Sequence, residues 1–104
     1  MKDLNQLTVN KISDGSKLTL SLDGYLNTKT SIEINTLLGE SLDGITDLVF
    51  DLSELKYISS AGMRTLLTAQ KKMNSQGSMK VTGVSSVIME IFDITGFTDI
   101  FTIE

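Results

Sequence analysis

The chain of 104 residues contains no cysteine, no histidine and no proline. Without cysteine it has neither disulfides nor a thiolate nucleophile. Without histidine it lacks the commonest general base near neutral pH and the commonest metal ligand. A Ser-His-Asp triad is excluded, and a serine nucleophile has no imidazole to activate it. A zinc site would need carboxylates alone, so no metal and no cofactor are expected. The pairs Asp51/Glu54 and Asp93/Asp99 have no metal-binding spacing. With no proline, repeat, low-complexity tract or linker, nothing marks a boundary, and residues 1–104 are expected to form a single domain. Positive charge is also scarce: nine Lys and Arg face thirteen Asp and Glu, a net −4, and Arg64 is the single arginine. There is no basic stripe for nucleic acid. No apolar run approaches the roughly 18 residues of a membrane span. The opening residues MKDLNQLTVNK carry no apolar signal-peptide core, so no membrane partner and a cytoplasmic location are expected.

What is present is a globular composition, 40% apolar and 21% charged. A chain of this length buries a core but does not easily enclose a deep substrate cleft. The stretch that organises it is Leu48–Leu67, LVFDLSELKYISSAGMRTLL. Leu48-Val49-Phe50 is an unbroken apolar run, the signal of a strand buried on both faces of a sheet. A polar break at Asp51 leads into a short loop whose Leu55, Tyr57 and Ile58 can point back at the core. A helix then opens at Ser59-Ser60-Ala61-Gly62.

In chain order, Leu7–Ile12 and Lys17–Asp23 read as strands, the second alternating Leu18, Leu20, Leu22 against Thr19, Ser21, Asp23. Asp14-Gly15 between them suits a type I′ hairpin turn. Gly24–Asn27 leaves as a loop. Thr30 and Glu33 fit a capping box for a helix over Ser31–Leu42, with Ile34, Leu37, Leu38 and Leu42 inward and Asp43-Gly44 at its end. Thr46–Leu52 is the central strand and Ser60–Gln76 the second helix, burying Met63, Leu66, Leu67, Gln70 and Met73, with Gly77 as its C′ residue. A strand Met79–Thr82 follows. A helix Val87–Ile94, capped by Ser85-Ser86, turns Val87, Ile88, Ile91 and Phe92 inward, and Asp99–Ile103 is a last edge strand. The order ββαβαβαβ implies an α/β fold with a mixed, mostly parallel sheet of about five strands and three main helices.

The helix mouth carries the functional reading. A serine there ordinarily caps the helix. It is also a place where a phosphate is tolerated, because free N–H groups and the helix dipole face the anion. Phosphorylation of Ser60 would add about −1.5 to −2 charges and bar a docked partner without unfolding the domain. Arg64, at i+4, either pairs with that phosphate or is an ordinary solvated residue. Ser59 is the alternative N-cap and the second candidate acceptor. Gly62 either admits another backbone closely or packs the first turn on the sheet. Asp51 stands at a strand end, where open α/β sheets place their sites.

At DLSELKYISSAGMRTLL the chain resembles the STAS family, and within it the anti-sigma-factor antagonists. The family loop Gly-x-Leu-Asp-x-x-Thr appears as Gly24-Tyr25-Leu26-Asn27-Thr28-Lys29-Thr30, and a late family run as Val87–Phe97, VIMEIFDITGF. The resemblance covers nearly the whole chain and implies the STAS fold, a binding module rather than an enzyme, and a phosphoserine switch at Ser60. The implied partners are an anti-sigma factor serine kinase with a histidine-kinase-like ATPase fold and a PP2C-type phosphatase. The unphosphorylated form would bind the kinase and release sigma; the phosphorylated form would let go. The partner-binding residues it implies are Gly24, Leu26, Asn27, Tyr57, Ser59, Ser60, Ala61, Gly62, Met63 and Arg64. The chain departs from the family pattern at Ser59 and Asn27, where the family has Asp. It is expected to be a monomer when free. The rival readings are a STAS interaction module of another complex, a signalling scaffold or a lipid-transport accessory, and a receiver domain phosphorylated on Asp51. A receiver would need an acidic pair after its first strand, where this chain has the hairpin Ser13-Asp14-Gly15.

Overall fold

A computed structural model describes residues 6–104. The elements are β1 (Leu7–Asp14), β2 (Lys17–Leu26), α1 (Ser31–Ser41), β3 (Asp47–Ile58), α2 (Ser60–Asn74), β4 (Ser78–Thr82), α3 (Ser86–Thr95), a 3-10 turn (Phe97–Asp99) and β5 (Thr102–Ile103). This is the expected ββαβαβαβ order. The five strands lie in sequence order, with β1 antiparallel to β2 and the other neighbours parallel.

That order has a consequence for the layers. Three right-handed crossovers that all step the same way place all three helices on one face. The core confirms it: the paired rows Leu18–Leu48–Met79 and Leu20–Phe50–Val81 all belong to one buried cluster. Among the described residues, the opposite rows, Thr19–Val49–Lys80 and Ser21–Asp51–Thr82, carry no helix. Val49 is buried but stands outside the core cluster, flanked in register by Thr19 and by the long stem of Lys80. The apolar run at Leu48–Phe50 therefore marks a strand with one core face and one small apolar island, not two covered faces.

Several local expectations change. β3 continues through the expected loop to Ile58, and β2 continues through Gly24 to Leu26. β3 takes two extra residues against β2, between the pairs Ser21/Asp51 and Asp23/Glu54 and again between Gly24/Leu55 and Tyr25/Tyr57. These bulges bend and twist the strand. They also turn Leu52, Leu55 and Ile58 inward at a spacing of three. Tyr57, expected to point at the core, is exposed. The hairpin loop is Gly15-Ser16, with positive φ at Gly15 only, so it follows the type II′ pattern rather than type I′.

The helix ends differ in a similar way. Thr30 makes no side-chain cap to α1. Asn27 does the capping one turn earlier: its Oδ1 accepts from the N–H groups of Lys29 and Thr30, both at 3.1 Å, and its carbonyl accepts from Ser31 N–H at 2.8 Å. The Thr30 hydroxyl donates to the Tyr25 carbonyl at 2.7 Å instead. α2 ends at Asn74, and Gly77 is not in the left-handed region. A Cβ at Gly77 would instead collide with the Thr46 carbonyl. α3 is capped by Ser85, whose hydroxyl accepts from Ile88 N–H at 3.2 Å. Its Val87, expected inward, is exposed. The final edge strand is shorter than Asp99–Ile103 because Phe97–Asp99 coils into the 3-10 turn. Phe97 and Phe92 both pack their rings on Phe101 there.

Candidate functional site at the mouth of the second helix

Parallel pairing of Tyr25 with Tyr57 and of Leu26 with Ile58 brings the two sequence motifs to the same end of the sheet. The Ser59 N–H donates to the Leu26 carbonyl at 2.8 Å, tying the start of α2 to the end of β2. Asn27 then holds the loop that follows by its own hydrogen bonds. An Asp or an Asn can accept those bonds equally, so Asn27 keeps the local fold that the family Asp would support.

The two serines divide the work. Ser59 has extended backbone, and its hydroxyl accepts from Gly62 N–H at 3.2 Å, while its carbonyl accepts the first helical bond from Met63 N–H at 2.9 Å. Ser59 is thus the N-cap. Ser60 is the first helical residue and is exposed. Arg64, one turn on, is exposed on the same side.

The candidate residues fall into two groups. Ser60, Tyr57 and Arg64 are exposed, and Gly24, Asn27, Ser59 and Ala61 are part-buried. Leu26, Gly62 and Met63 are buried and shape the surface from beneath. Gly62 resolves its two readings in favour of packing. A Cβ there would stand 2.8 Å from the Leu26 side chain, 2.9 Å from the Ile58 side chain and 2.9 Å from the Leu26 carbonyl. Gly24 has φ +124°, and a Cβ on it would strike the Gln6 carbonyl, so its role is also steric.

A hollow of about 230 Å³ opens beside Ser60, lined by Met63, Arg64, Leu67, Thr95 and Phe97. The Thr95 hydroxyl points at the Met63 sulfur at 3.9 Å, joining α3 to the floor of the hollow. Leu67, Thr95 and Phe97 were not among the sequence candidates. Thr95 and Phe97 lie in the VIMEIFDITGF run and Leu67 ends the stretch DLSELKYISSAGMRTLL, so the motif stretches are the sequence signal that could have found them.

Asp51 serves the backbone. Its Oδ1 accepts from Ser53 N–H at 3.0 Å and its Oδ2 from the Ser21 hydroxyl at 3.4 Å. The Ser53 N–H and hydroxyl, then Ser21, hold the carboxyl below the ordinary 3.8 against a partial burial that pushes it up. Gly83 closes over it: a Cβ there would stand 2.9 Å from Asp51 Oδ1. Among the described residues, no group of three or more carboxylates is placed to hold a metal, and no helix is long and apolar enough to cross a membrane.

The sheet order, the one-sided helices and the serine-bearing helix mouth define a STAS domain, and the STAS domain family model matches residues 8–104. The chain belongs to that family. It is 35% identical over 100 residues to BtrV of Bordetella bronchiseptica, a protein named an anti-sigma factor antagonist, covering 94% of this chain and 84% of BtrV. Its fold matches an anti-sigma factor antagonist from Mycobacterium paratuberculosis with a TM-score of 0.87 at 18% identity, over 99% of this chain and 89% of that one. It also matches the Bacillus cell fate determinant SpoIIAA in its phosphorylated form, with a TM-score of 0.73 at 13% identity, over 95% and 91% of the two chains.

Proposed function

We propose that this chain is an anti-sigma factor antagonist that works as a single STAS domain and is switched at Ser60. The observation that carries the reading is the division between the two serines. Ser59 is committed to capping Gly62 N–H, while Ser60 stands exposed at the first helical position. A phosphate on Ser60 would meet free N–H groups of the first turn and the Arg64 guanidinium, so the domain can carry the charge. A partner surface packed over Ser60, Tyr57 and the adjoining hollow would meet a buried, badly solvated dianion and dissociate. In this reading the unphosphorylated chain binds an anti-sigma factor serine kinase and releases sigma. Phosphorylation ends that binding, and a PP2C-type phosphatase restores it. The chain is then a substrate and a binding module, not an enzyme. The relationship to BtrV supports the antagonist role.

The test is intact-mass and fragment mass spectrometry on protein isolated from its own cells with phosphatase inhibitors present. A single phosphate on Ser60 supports the switch. Phosphate on Ser59 keeps the switch and moves the acceptor at the expense of the cap. No phosphate under any growth condition overturns the switch and leaves a STAS interaction module with other partners.

A further inference from the structure

The helix α3 carries more apolar surface than the core uses. Ile88 and Phe92 are fully buried, and Ile91 packs partly against the core. Val87 and Ile94 point outward, 58% and 78% exposed. Val87, Ile91 and Ile94 stand at i, i+4 and i+7, so they form one continuous stripe along the helix. Single exposed apolar residues are ordinary on a protein surface, but anchors at this spacing are how a helix presents itself to a groove. The only charged residues on α3 are Glu90 and Asp93, both exposed; Glu90, at i+3 from Val87 and four residues before Ile94, borders the stripe, and Asp93 continues the acidic row one turn on along the adjoining exposed face. The C-terminal end of the helix reaches the hollow beside Ser60 through Thr95.

We infer that the outward stripe of α3 is a docking surface for a partner protein that presents an apolar groove edged by lysine or arginine. The acidic border selects this occupant. A second copy of the chain, paired symmetrically through α3, would gather two copies each of Glu90 and Asp93 along one seam with no cation on either helix to offset them, and the chain is already at −4. An anionic lipid surface would be repelled by the same border, since interfacial helices need Lys or Arg on the polar face. A basic-edged groove satisfies both the stripe and its border. The inference does not depend on phosphorylation of Ser60.

The experiment places a photo-crosslinking phenylalanine analogue at Val87 or Ile94 in the full chain, in its own cells, with Ile12 on β1 as an equally exposed control. The crosslinked peptide is identified by mass spectrometry, and that partner is purified for affinity measurements. The expected result is one identified protein captured from both α3 positions and not from Ile12, through an apolar segment flanked by Lys or Arg. Ile94→Ser and the double change Glu90→Lys with Asp93→Lys should each weaken its binding about tenfold or more, and the charge reversal should also flatten the salt dependence. All these side chains are exposed, so the variants keep the fold, which circular dichroism checks. Capture of a second copy, adducts with lipid alone, no protein adduct, or unchanged affinity in the variants would overturn the proposal.

Discussion

Gly62 packs its bare α-carbon against Leu26, so close that an added Cβ would stand 2.9 Å from the Leu26 carbonyl. That contact sets the first turn of α2 on the end of β2. Gly62→Ala should therefore destabilise the domain by about 1–3 kcal/mol through overpacking, although alanine favours a helix by about 1 kcal/mol. Gly39 in α1 has open space around it and no positive φ. Gly39→Ala should stabilise by about 0.5–1 kcal/mol. Urea unfolding of the two variants, measured together, checks the opposite signs.

The two serines of the helix mouth should separate in stability. Ser59→Ala loses the cap on Gly62 N–H and should cost about 1 kcal/mol. Ser60→Ala, at an exposed first-turn position, should stay within about 0.5 kcal/mol of the parent. Thermal unfolding reads the difference. Under the proposed switch at Ser60, a folded Ser60→Ala protein is the permanently unswitched form. Asn27→Ala should also cost about 1 kcal/mol, since it removes the acceptor for Lys29 and Thr30 N–H, and Asn27→Asp should restore it.

Gln70 is buried on α2 with its Nε2 donating to Asn74 Oδ1 at 2.9 Å, and its Oε1 has no hydrogen-bond partner among the described residues. An unpaired buried acceptor carries a desolvation penalty of about 1–3 kcal/mol. Gln70→Met, close in volume, should raise the urea midpoint at an unchanged slope. A lower midpoint would show that the amide is worth more than its replacement.

Asp51 makes the acid side of stability testable. Its folded-state carboxyl lies below the ordinary 3.8, chiefly because Ser53 N–H and the Ser53 hydroxyl bond the charged form. A depressed carboxyl contributes stability that is full above its unfolded value and is lost as pH falls through the folded value. The stability gap between the parent and Asp51→Asn should be largest near neutral pH and shrink on acidification below pH 3.8. Chemical unfolding of both proteins across that window measures it.

The parts that were legible in the chain are those governed by local chemistry. The element order and the hydrophobic pattern of β2 follow from spacing along the backbone, and so does the cap at Ser85. The inward rows of Ile34 and Leu38 on α1, continued by Leu42 at its C-cap, and of Met63, Leu66 and Met73 on α2 also follow from helical periodicity. At the site, the sequence alone located the helix mouth and the candidate pair Ser59 and Ser60.

Tertiary structure decided the rest. Two bulges in β3 convert a strand's period of two into a spacing of three at Leu52, Leu55 and Ile58, and that spacing reads as a loop or a helix face in one dimension. Which face of the central strand is covered depends on the strand order, which no local pattern encodes; hence Val49 is apolar beneath a face without helices. Asn27 caps the start of α1 in place of Thr30 because Thr30 already has helical backbone and its hydroxyl oxygen accepts from Asn27 N–H while its proton goes to the Tyr25 carbonyl at the end of β2. Which serine caps and which faces outward was open in the sequence, since either hydroxyl can accept from the first turn. The hydrogen bond from Ser59 N–H to the Leu26 carbonyl on a neighbouring strand fixes where the helix begins. That long-range bond leaves Ser60 at the surface.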